Sequence, residues 1–220
     1  MELKKTADGS HTLFVPELNE TYHSIHGAIQ ESQHVFIKNG LHYFNNKETI
    51  SILEIGFGTG LNALLTLLAT ESSSQMVNYV SLEKFPLPNE LVQQLNYPTQ
   101  LKIKATQTTL FNQLHACEWN KITPITNNFN LLKIEEDLAN LQITTTFDLI
   151  YFDAFAPEKQ AELWTAEIFL KIYDFLKPKG ILVTYCAKGV VKRTIKSVGF
   201  QLETLPGPPG KREMIRAIKN

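Results

Sequence analysis

Ile50-Ser51-Ile52-Leu53-Glu54-Ile55-Gly56-Phe57-Gly58-Thr59-Gly60-Leu61-Asn62-Ala63-Leu64-Leu65-Thr66-Leu67-Leu68 is the stretch from which the fold is read. It begins as a short apolar, β-branched run bounded by glycines, which reads as a fully buried parallel strand. The leucine- and alanine-rich run behind the glycines lacks β-branching except at Thr66. It reads as a helix with Gly60 near its start. Strand, glycine turn and helix make the first unit of a doubly wound α/β sheet, whose ligand lies at the carboxyl ends of the strands. Glycines let the backbone approach that ligand closely, and N–H groups at the helix start face its negative parts.

The glycine spacing narrows the ligand. A dinucleotide loop is G-x-G-x-x-G, and a phosphate loop is G-x-x-x-x-G-K-[ST]. Here Glu54 stands two residues before Gly56 in E-x-G-x-G-x-G, and no lysine follows Gly60. The run resembles the first motif of class I S-adenosyl-L-methionine (AdoMet) methyltransferases, whose loop wraps the amino acid half of the cofactor. That resemblance implies cofactor contacts at Glu54, Gly56, Phe57, Gly58, Thr59, Gly60 and Asn62. On this turn alone other α/β ligand loops stay open. A pure turn-forming role would account for one or two of the glycines but not for Glu54.

At 220 residues the chain suits one domain with a sizeable core, or a domain with an appendage. Apolar content of 43% and charged content of 20% fit a soluble globular protein and exclude a disordered one. No apolar run reaches the ~18 residues of a spanning helix. The start, Met1 to Thr6, lacks the apolar core of a signal peptide. Cys117 and Cys186 are too few for a disulfide framework or for a zinc site alone. A cytoplasmic protein without a membrane partner is expected.

The net charge of −1 hides a division. From residue 177 onward ten Lys/Arg face only Glu203 and Glu213, a net of +8, while the preceding part carries −9. Such asymmetry suggests a polyanion-facing end, with a plainly solvated basic face as the alternative.

Residues 1–45 alternate short apolar stretches (Leu13 to Val15, Val35 to Ile37, Leu41 to Phe44) with turn residues. Asn39-Gly40 between two of them predicts a hairpin, so a small N-terminal β appendage should precede a main domain over 46–220. Met76 to Glu83 reads as the second parallel strand, Phe129 to Ile134 as the third, Phe147 to Asp153 as the fourth and Ile181 to Cys186 as the fifth. Helices are expected over Asn89 to Leu95, Thr109 to Glu118, Glu162 to Lys177 and Lys188 to Val198, with Pro98, Pro124 and Asn127-Asn128 in loops. Phe200 to Leu205 and Met214 to Ile218 fit a closing hairpin. The sum is a mostly parallel, seven-stranded α/β sheet.

Glu83, Asp137 and Asp153 fall at the ends of the second, third and fourth strands, along one edge beside the glycine loop. Each alone could be a surface carboxylate. Together they suit one nucleoside-sized ligand, with Glu83 on the ribose, Asp137 on the base amino group and Asp153 facing the reacting end.

Four segments then resemble one family: Phe57-Gly58-Thr59-Gly60-Leu61-Asn62; Glu83-Lys84-Phe85-Pro86-Leu87; Asp153-Ala154-Phe155-Ala156-Pro157-Glu158-Lys159 with Leu163-Trp164-Thr165; and Gly210-Lys211-Arg212-Glu213-Met214. They are similar to the MnmD methyltransferases, a name that also covers the amino-terminal half of MnmC, from about Glu17 to the C-terminus. Glu136-Asp137 stands where relatives carry Gly-Asp.

The resemblance implies a Rossmann-like AdoMet-dependent fold and N-methylation of the exocyclic amine of 5-aminomethyl-(2-thio)uridine at the tRNA wobble position, with S-adenosyl-L-homocysteine as by-product. It implies no metal and no flavin half, so that an upstream amine-generating tRNA-modification enzyme must supply the substrate. Lys84, Leu138 and Tyr22 would join the cofactor contacts.

Asp153 would accept an amine N–H and aim the lone pair at the methyl. Phe155 and Trp164, with Pro157 nearby, could stack on a splayed base or simply pack in the core. Lys192, Arg193, Lys211 and Arg212 would meet phosphates. Two other classes remain open on sequence: a small-molecule amine or polyamine transferase on the same fold, and a non-catalytic RNA-binding relative.

Overall fold

The computed structural model describes residues 1–71 and 73–220. Three short strands open the chain, β1 (Glu2–Lys5), β2 (His11–Val15) and β3 (Glu20–Thr21), paired antiparallel in that order. Helix α1 (Ala28–Ser32) runs on through a wider π-helical turn, Gln33–Lys38, to a 3-10 turn at Leu41–Phe44.

The hairpin expected at Asn39-Gly40 is thus a helical segment instead. Ala28, Ile29, Ser32, Val35 and Phe36 recur at helical spacing, and all five are buried. A Cβ at Gly40 would stand 2.4 Å from the Phe36 carbonyl oxygen, so this glycine serves close packing and not a β-turn.

The remaining elements, in chain order, are β4 (Thr49–Ile55), α2 (Leu61–Thr70), β5 (Met76–Glu83), α3 (Asn89–Val92), α4 (Tyr97–Gln100) and α5 (Ala105–Ala116). Then come β6 (Ile122–Thr126), β7 (Phe129–Glu135), β8 (Phe147–Phe152), α6 (Ala166–Phe175), β9 (Leu176–Thr184), α7 (Gly189–Ser197), β10 (Gln201–Pro206) and β11 (Glu213–Ile218). The strands from β4 onward form one sheet in the order β10-β11-β9-β8-β4-β5-β7-β6. The five strands from β9 to β7 in that order run parallel, and the flanking pairings, β9 with β11, β11 with β10 and β7 with β6, are antiparallel.

The sheet has eight strands and not seven, because β6 adds an edge where a loop was expected. Pro124 lies in it, opposite Asn130, next to a register shift. An edge strand tolerates the missing N–H of a proline, which a central strand does not.

The expected helix from Glu162 to Lys177 is also divided. Ala161–Trp164 is a single 3-10 turn, and Thr165 then caps α6 by accepting the Ile168 N–H on its side chain. Strand β9 starts already at Leu176 and absorbs Pro178 and Gly180.

Burial on both faces explains the unbroken apolar runs. Strand β4 sends Ile50 and Ile52 into a cluster with Phe36, Tyr79 and Tyr151, and Leu53 and Ile55 into another with Phe152, Phe169 and Ile195. Ile55 is in register with Leu82 of β5 and Phe152 of β8, and Glu83 with Glu135 of β7. The residues that follow these positions therefore share one edge.

Candidate active site

At that edge the chain leaves β4 through Gly56, whose φ is +92°, and Gly58, whose φ is +48°. Both lie in the left-handed region that disfavours side chains. The Gly56 and Phe57 N–H groups donate to the Leu82 carbonyl at 2.9 and 3.1 Å, pinning the loop to β5. A Cβ on Gly56 would stand 3.0 Å from the Asp153 carbonyl oxygen, and one on Gly58 3.0 Å from the Tyr22 ring. The loop is thus squeezed between the end of β8 and a residue from the N-terminal segment. Gly60 answers a different demand: its Cβ would stand 2.7 Å from His115 Nε2, on α5.

A cleft of about 260 Å³ opens over this loop. Gly56, Phe57, Gly58, Thr59 and Asn62 form its floor. Glu83, Lys84 and Phe85 form one wall, Asp137 and Leu138 the next, and Asp153 and Phe155 the far end. Tyr22 closes over it, edge-on to Phe155 with ring centroids 5.1 Å apart.

Glu83 accepts the Gly58 N–H on Oε2 and the Phe85 N–H on Oε1, both at 2.9 Å. A carboxylate has about four lone-pair sites, so acceptor capacity remains for two ribose hydroxyls. Burial raises its pKa. Lys84 reaches Asp137 at 2.7 Å and stands 5.2 Å from the Phe85 ring centroid. The Lys84 bond holds the Asp137 carboxyl below its ordinary pKa. Phe85 is 68% exposed although it lines the cleft, an apolar plate at its mouth.

Asp153 is the pivot of the site. Its Oδ2 accepts Asn62 Nδ2 at 2.9 Å, and burial, helped by the negative charge of Glu31, pushes its pKa up to about 7. Beneath it Glu54 is fully buried and accepts the Ser81 hydroxyl at 2.5 Å. Burial lifts the Glu54 pKa to about 8, so this acid is mostly protonated at neutral pH.

A second groove, about 660 Å³, adjoins the cleft and shares Tyr22, His23 and Phe155 with it. Its other walls include Glu31, Tyr185, Cys186 and Lys211, and its rim carries Lys188 and Arg212. His23 is buried between the two spaces, and burial pushes its pKa down to about 4, so the ring is neutral.

Several candidates from the sequence lie elsewhere. Glu54 does not line the cleft; it supports the loop from below. Gly60 packs against α5. Trp164 is 6% exposed, packs on Phe152 and Phe169, and donates its indole N–H to the Phe155 carbonyl at 2.8 Å, so it is core and not a stacking platform. It positions Phe155, which does face both spaces. Pro157 bounds neither space and starts the turn in which Lys159 and Gln160 N–H donate to the Ala156 carbonyl. Lys192 is held by Glu213 at 2.5 Å, and Arg193 is exposed on α7 outside the groove.

Glu31, His23, Tyr185 and Phe85 are given no site role by the sequence reading; His23 and Glu31 read there as satisfied loop residues, and Phe85 only as part of the segment Glu83-Lys84-Phe85-Pro86-Leu87. Phe85 beside Glu83 was the one with a signal, a bulky apolar residue after a strand-end acid. The other three come from the N-terminal segment and from the end of β9.

The cleft fits AdoMet on features of its own. The glycine cradle admits a close ligand, Glu83 keeps free lone pairs, and Asn62 Oδ1 is buried with no partner among the described residues. Solved and curated proteins resemble this chain. The crystal structure of MNMC2 from Aquifex aeolicus superposes with a TM-score of 0.81 at 26% identity, over 100% of this chain and 70% of that one. The spermidine synthase of Thermotoga maritima, TM-score 0.56 at 17% identity over 100% of this chain and 72% of that one, shares the fold. The tRNA 5-methylaminomethyl-2-thiouridine biosynthesis bifunctional protein MnmC of Burkholderia multivorans is 30% identical over 93% of this chain and 33% of its own length. That of Cupriavidus necator is 31% identical over 91% and 32%. The chain thus spans about a third of the curated relatives it matches. Residues 97–220 match the profile described as S-adenosyl-L-methionine-dependent methyltransferase, and the chain belongs to that family.

Proposed function

We infer that the protein methylates the exocyclic amine of 5-aminomethyl-(2-thio)uridine at the wobble position of tRNA, giving 5-methylaminomethyl-(2-thio)uridine. The observation that carries this reading is the meeting of two spaces at Tyr22, His23 and Phe155, two residues along the chain from Asp153 at the end of the cleft. One has the cofactor features described above; the other is open and wide, with Lys188 and Arg212 on its rim. Support for the substrate comes from the curated relatives, whose names specify 5-methylaminomethyl-2-thiouridine in tRNA. The aminomethyl group would be made upstream by an amine-generating activity, and the setting would be the cytoplasm. Among the described residues no helix is long and apolar enough to cross a membrane.

AdoMet, when bound, supplies an electrophilic methyl on a sulfonium. The protein's share is positioning, which can lower a barrier by about 7–11 kcal/mol when the reacting atoms are well aligned. Asn62 and Trp164 fix Asp153 and Phe155 in place. Asp153 Oδ1 is left to accept an N–H of the amine and to turn its lone pair toward the cofactor end of the cleft. An alkyl amine resembles lysine, with a pKa of about 10.4, and must lose a proton before attack. With a pKa near 7, Asp153 is a competent acceptor for that proton, more basic than an exposed aspartate. Tyr22 and Phe155 exclude water over the reacting atoms.

The test is nucleoside mass spectrometry of aminomethyl-uridine tRNA incubated with the protein and AdoMet. Conversion of the wobble nucleoside to its methylaminomethyl form is expected. No conversion, with turnover on a free polyamine instead, would overturn the reading in favour of the small-molecule class.

A further inference from the structure

The groove beside Asp153 carries a carboxylate that the mechanism above leaves unused. Glu31, on α1, is 6% exposed on the wall of that groove. Its Oε2 accepts the Ser24 N–H at 2.8 Å, and its Oε1 is paired with the Lys211 ammonium. Lys211 comes from the turn between β10 and β11, and its Nζ stands 4.1 Å from the centroid of the Tyr185 ring. The end of Lys211 is thus a methylene bearing an ammonium, held between a buried carboxylate and an aromatic face. A 5-aminomethyl substituent ends in the same two atoms. Tyr185 also donates its hydroxyl to the Ala154 carbonyl at 2.9 Å, so this cage is fixed to the residue next to Asp153.

We propose that Glu31 and the Tyr185 ring form the subsite for the acceptor amine, and that Lys211 fills it as a placeholder until an aminomethyl base displaces it. The proposal rests on the substrate reading given above. Exchange of one ammonium for another leaves the charge beside Glu31 unchanged and keeps that carboxylate paired. A base lacking the amine would have to strand Glu31 or leave Lys211 in its way, which selects against it. The displaced Lys211 would swing to the rim beside Lys188 and Arg212, where phosphates neutralise it. The charge of Glu31 also acts on Asp153, raising its affinity for a proton.

The experiment compares two anticodon stem-loop RNAs, one with 5-aminomethyluridine and one with 5-methyluridine at the wobble position. Affinities are measured with S-adenosyl-L-homocysteine present, for the wild-type chain, Glu31→Gln and Lys211→Met. The wild type should prefer the amine by roughly tenfold or more, the scale of one hydrogen bond to a charged group. Glu31→Gln should erase that preference while keeping its affinity for the methyl RNA and for S-adenosyl-L-homocysteine. Lys211→Met should widen the preference, because the substrate is then the cation left for Glu31. Retained discrimination in Glu31→Gln, or a narrowed one in Lys211→Met, would overturn the subsite. If Glu31→Gln does not fold, the Lys211→Met arm decides alone. Absence of methylation by the wild type would instead remove the substrate reading itself.

Discussion

Asn62 Nδ2 donates to Asp153 Oδ2 at 2.9 Å, tying the first turn of α2 to the end of β8. The glycine loop lies between the two, so the residues that bound the cofactor cleft and the residue that faces the acceptor form one unit. Glu54 extends it downward, through its bond from Ser81 on β5. Asn62 on α2 thus holds the reacting carboxylate, and the Asp153 N–H is tied to the Ile55 carbonyl of β4 at 3.2 Å.

Asp153 should show its role in single-turnover rates on aminomethyl-uridine tRNA. Asp153→Asn keeps the shape and one acceptor and should retain partial activity. Asp153→Ala should lose about two to four powers of ten, the range for positioned acid–base groups. The wild-type rate should rise with pH through about 7 as the carboxyl loses its proton, and this limb should vanish in Asp153→Asn. AdoMet affinity should change less than turnover, since the group serves the transition state. Wild-type rates in the alanine variant would remove Asp153 from the chemistry.

Glu54 makes stability depend on pH in an unusual direction. Burial raises its pKa from 4.5 to about 8 in the folded chain. A carboxyl that binds its proton more tightly when folded contributes fully below its unfolded pKa and loses that contribution as pH rises through the folded one. The melting temperature should therefore decline between about pH 4.5 and 8. Asp153 adds to the decline with the same sign up to about 7. Glu54→Gln mimics the neutral acid and should flatten the slope in part. Glu54→Ala strands the Ser81 hydroxyl and should cost ~1–3 kcal/mol at neutral pH. A Glu54→Gln profile parallel to wild type would show that Glu54 is ionised.

The central sheet was legible because burial on both faces leaves apolar runs and the turn after β4 carries its own glycine signature. The edge was not. Pro124 argues against a strand unless the strand is known to lie at an edge, and that depends on what pairs beyond β7. Val35-Phe36-Ile37 is a β-branched run beside Asn-Gly, and local preference pointed to a hairpin. The helical spacing from Ala28 to Phe36 was the stronger signal, because tertiary burial against Tyr151 decides the state of a half-apolar segment. Within the site, the strand-end acids Glu83, Asp137 and Asp153 were readable from register. Glu31 and Tyr185 were not, since no local pattern brings α1 to the end of β9. Trp164 was ambiguous as written, because a core aromatic and a stacking aromatic look alike in sequence.

Gly58 should be the more sensitive of the cofactor-cleft glycines to a ligand assay. With its φ of +48° and the Tyr22 ring 3.0 Å from where a Cβ would stand, Gly58→Ala must strain the loop and push Tyr22 outward. AdoMet binding should weaken by roughly tenfold or more, with ~1–2 kcal/mol of stability lost from the forced left-handed residue. Glu83→Ala removes the acceptor of the Gly58 and Phe85 N–H groups together with the ribose contact, and Glu83→Gln separates these roles by keeping one acceptor oxygen. Calorimetry that finds unchanged affinity in both Gly58→Ala and Glu83→Ala would place the cofactor elsewhere.

Arg193 and Arg212 should carry the salt dependence of tRNA binding. Lys192 on α7 pairs with Glu213 at 2.5 Å, which brings their sequence neighbours Arg193 and Arg212 onto adjoining ground. Both arginines are exposed, and neither has an acidic partner among the described residues. Lys192 and Lys211 differ, because each is engaged by a carboxylate within the chain. Arginine also suits phosphate by its planar fork of donors, while most of the surface lysines meet it as point charges. Each lost phosphate contact should lower the slope of log affinity against log salt by about 0.7–0.9. Arg193→Ala with Arg212→Ala should therefore bind tRNA more weakly at low salt and show a slope reduced by up to two contacts. AdoMet affinity should stay at the wild-type value, since neither residue borders the cleft. A slope equal to wild type in the double variant would mean that the basic face is only solvated, and that tRNA approaches from another side.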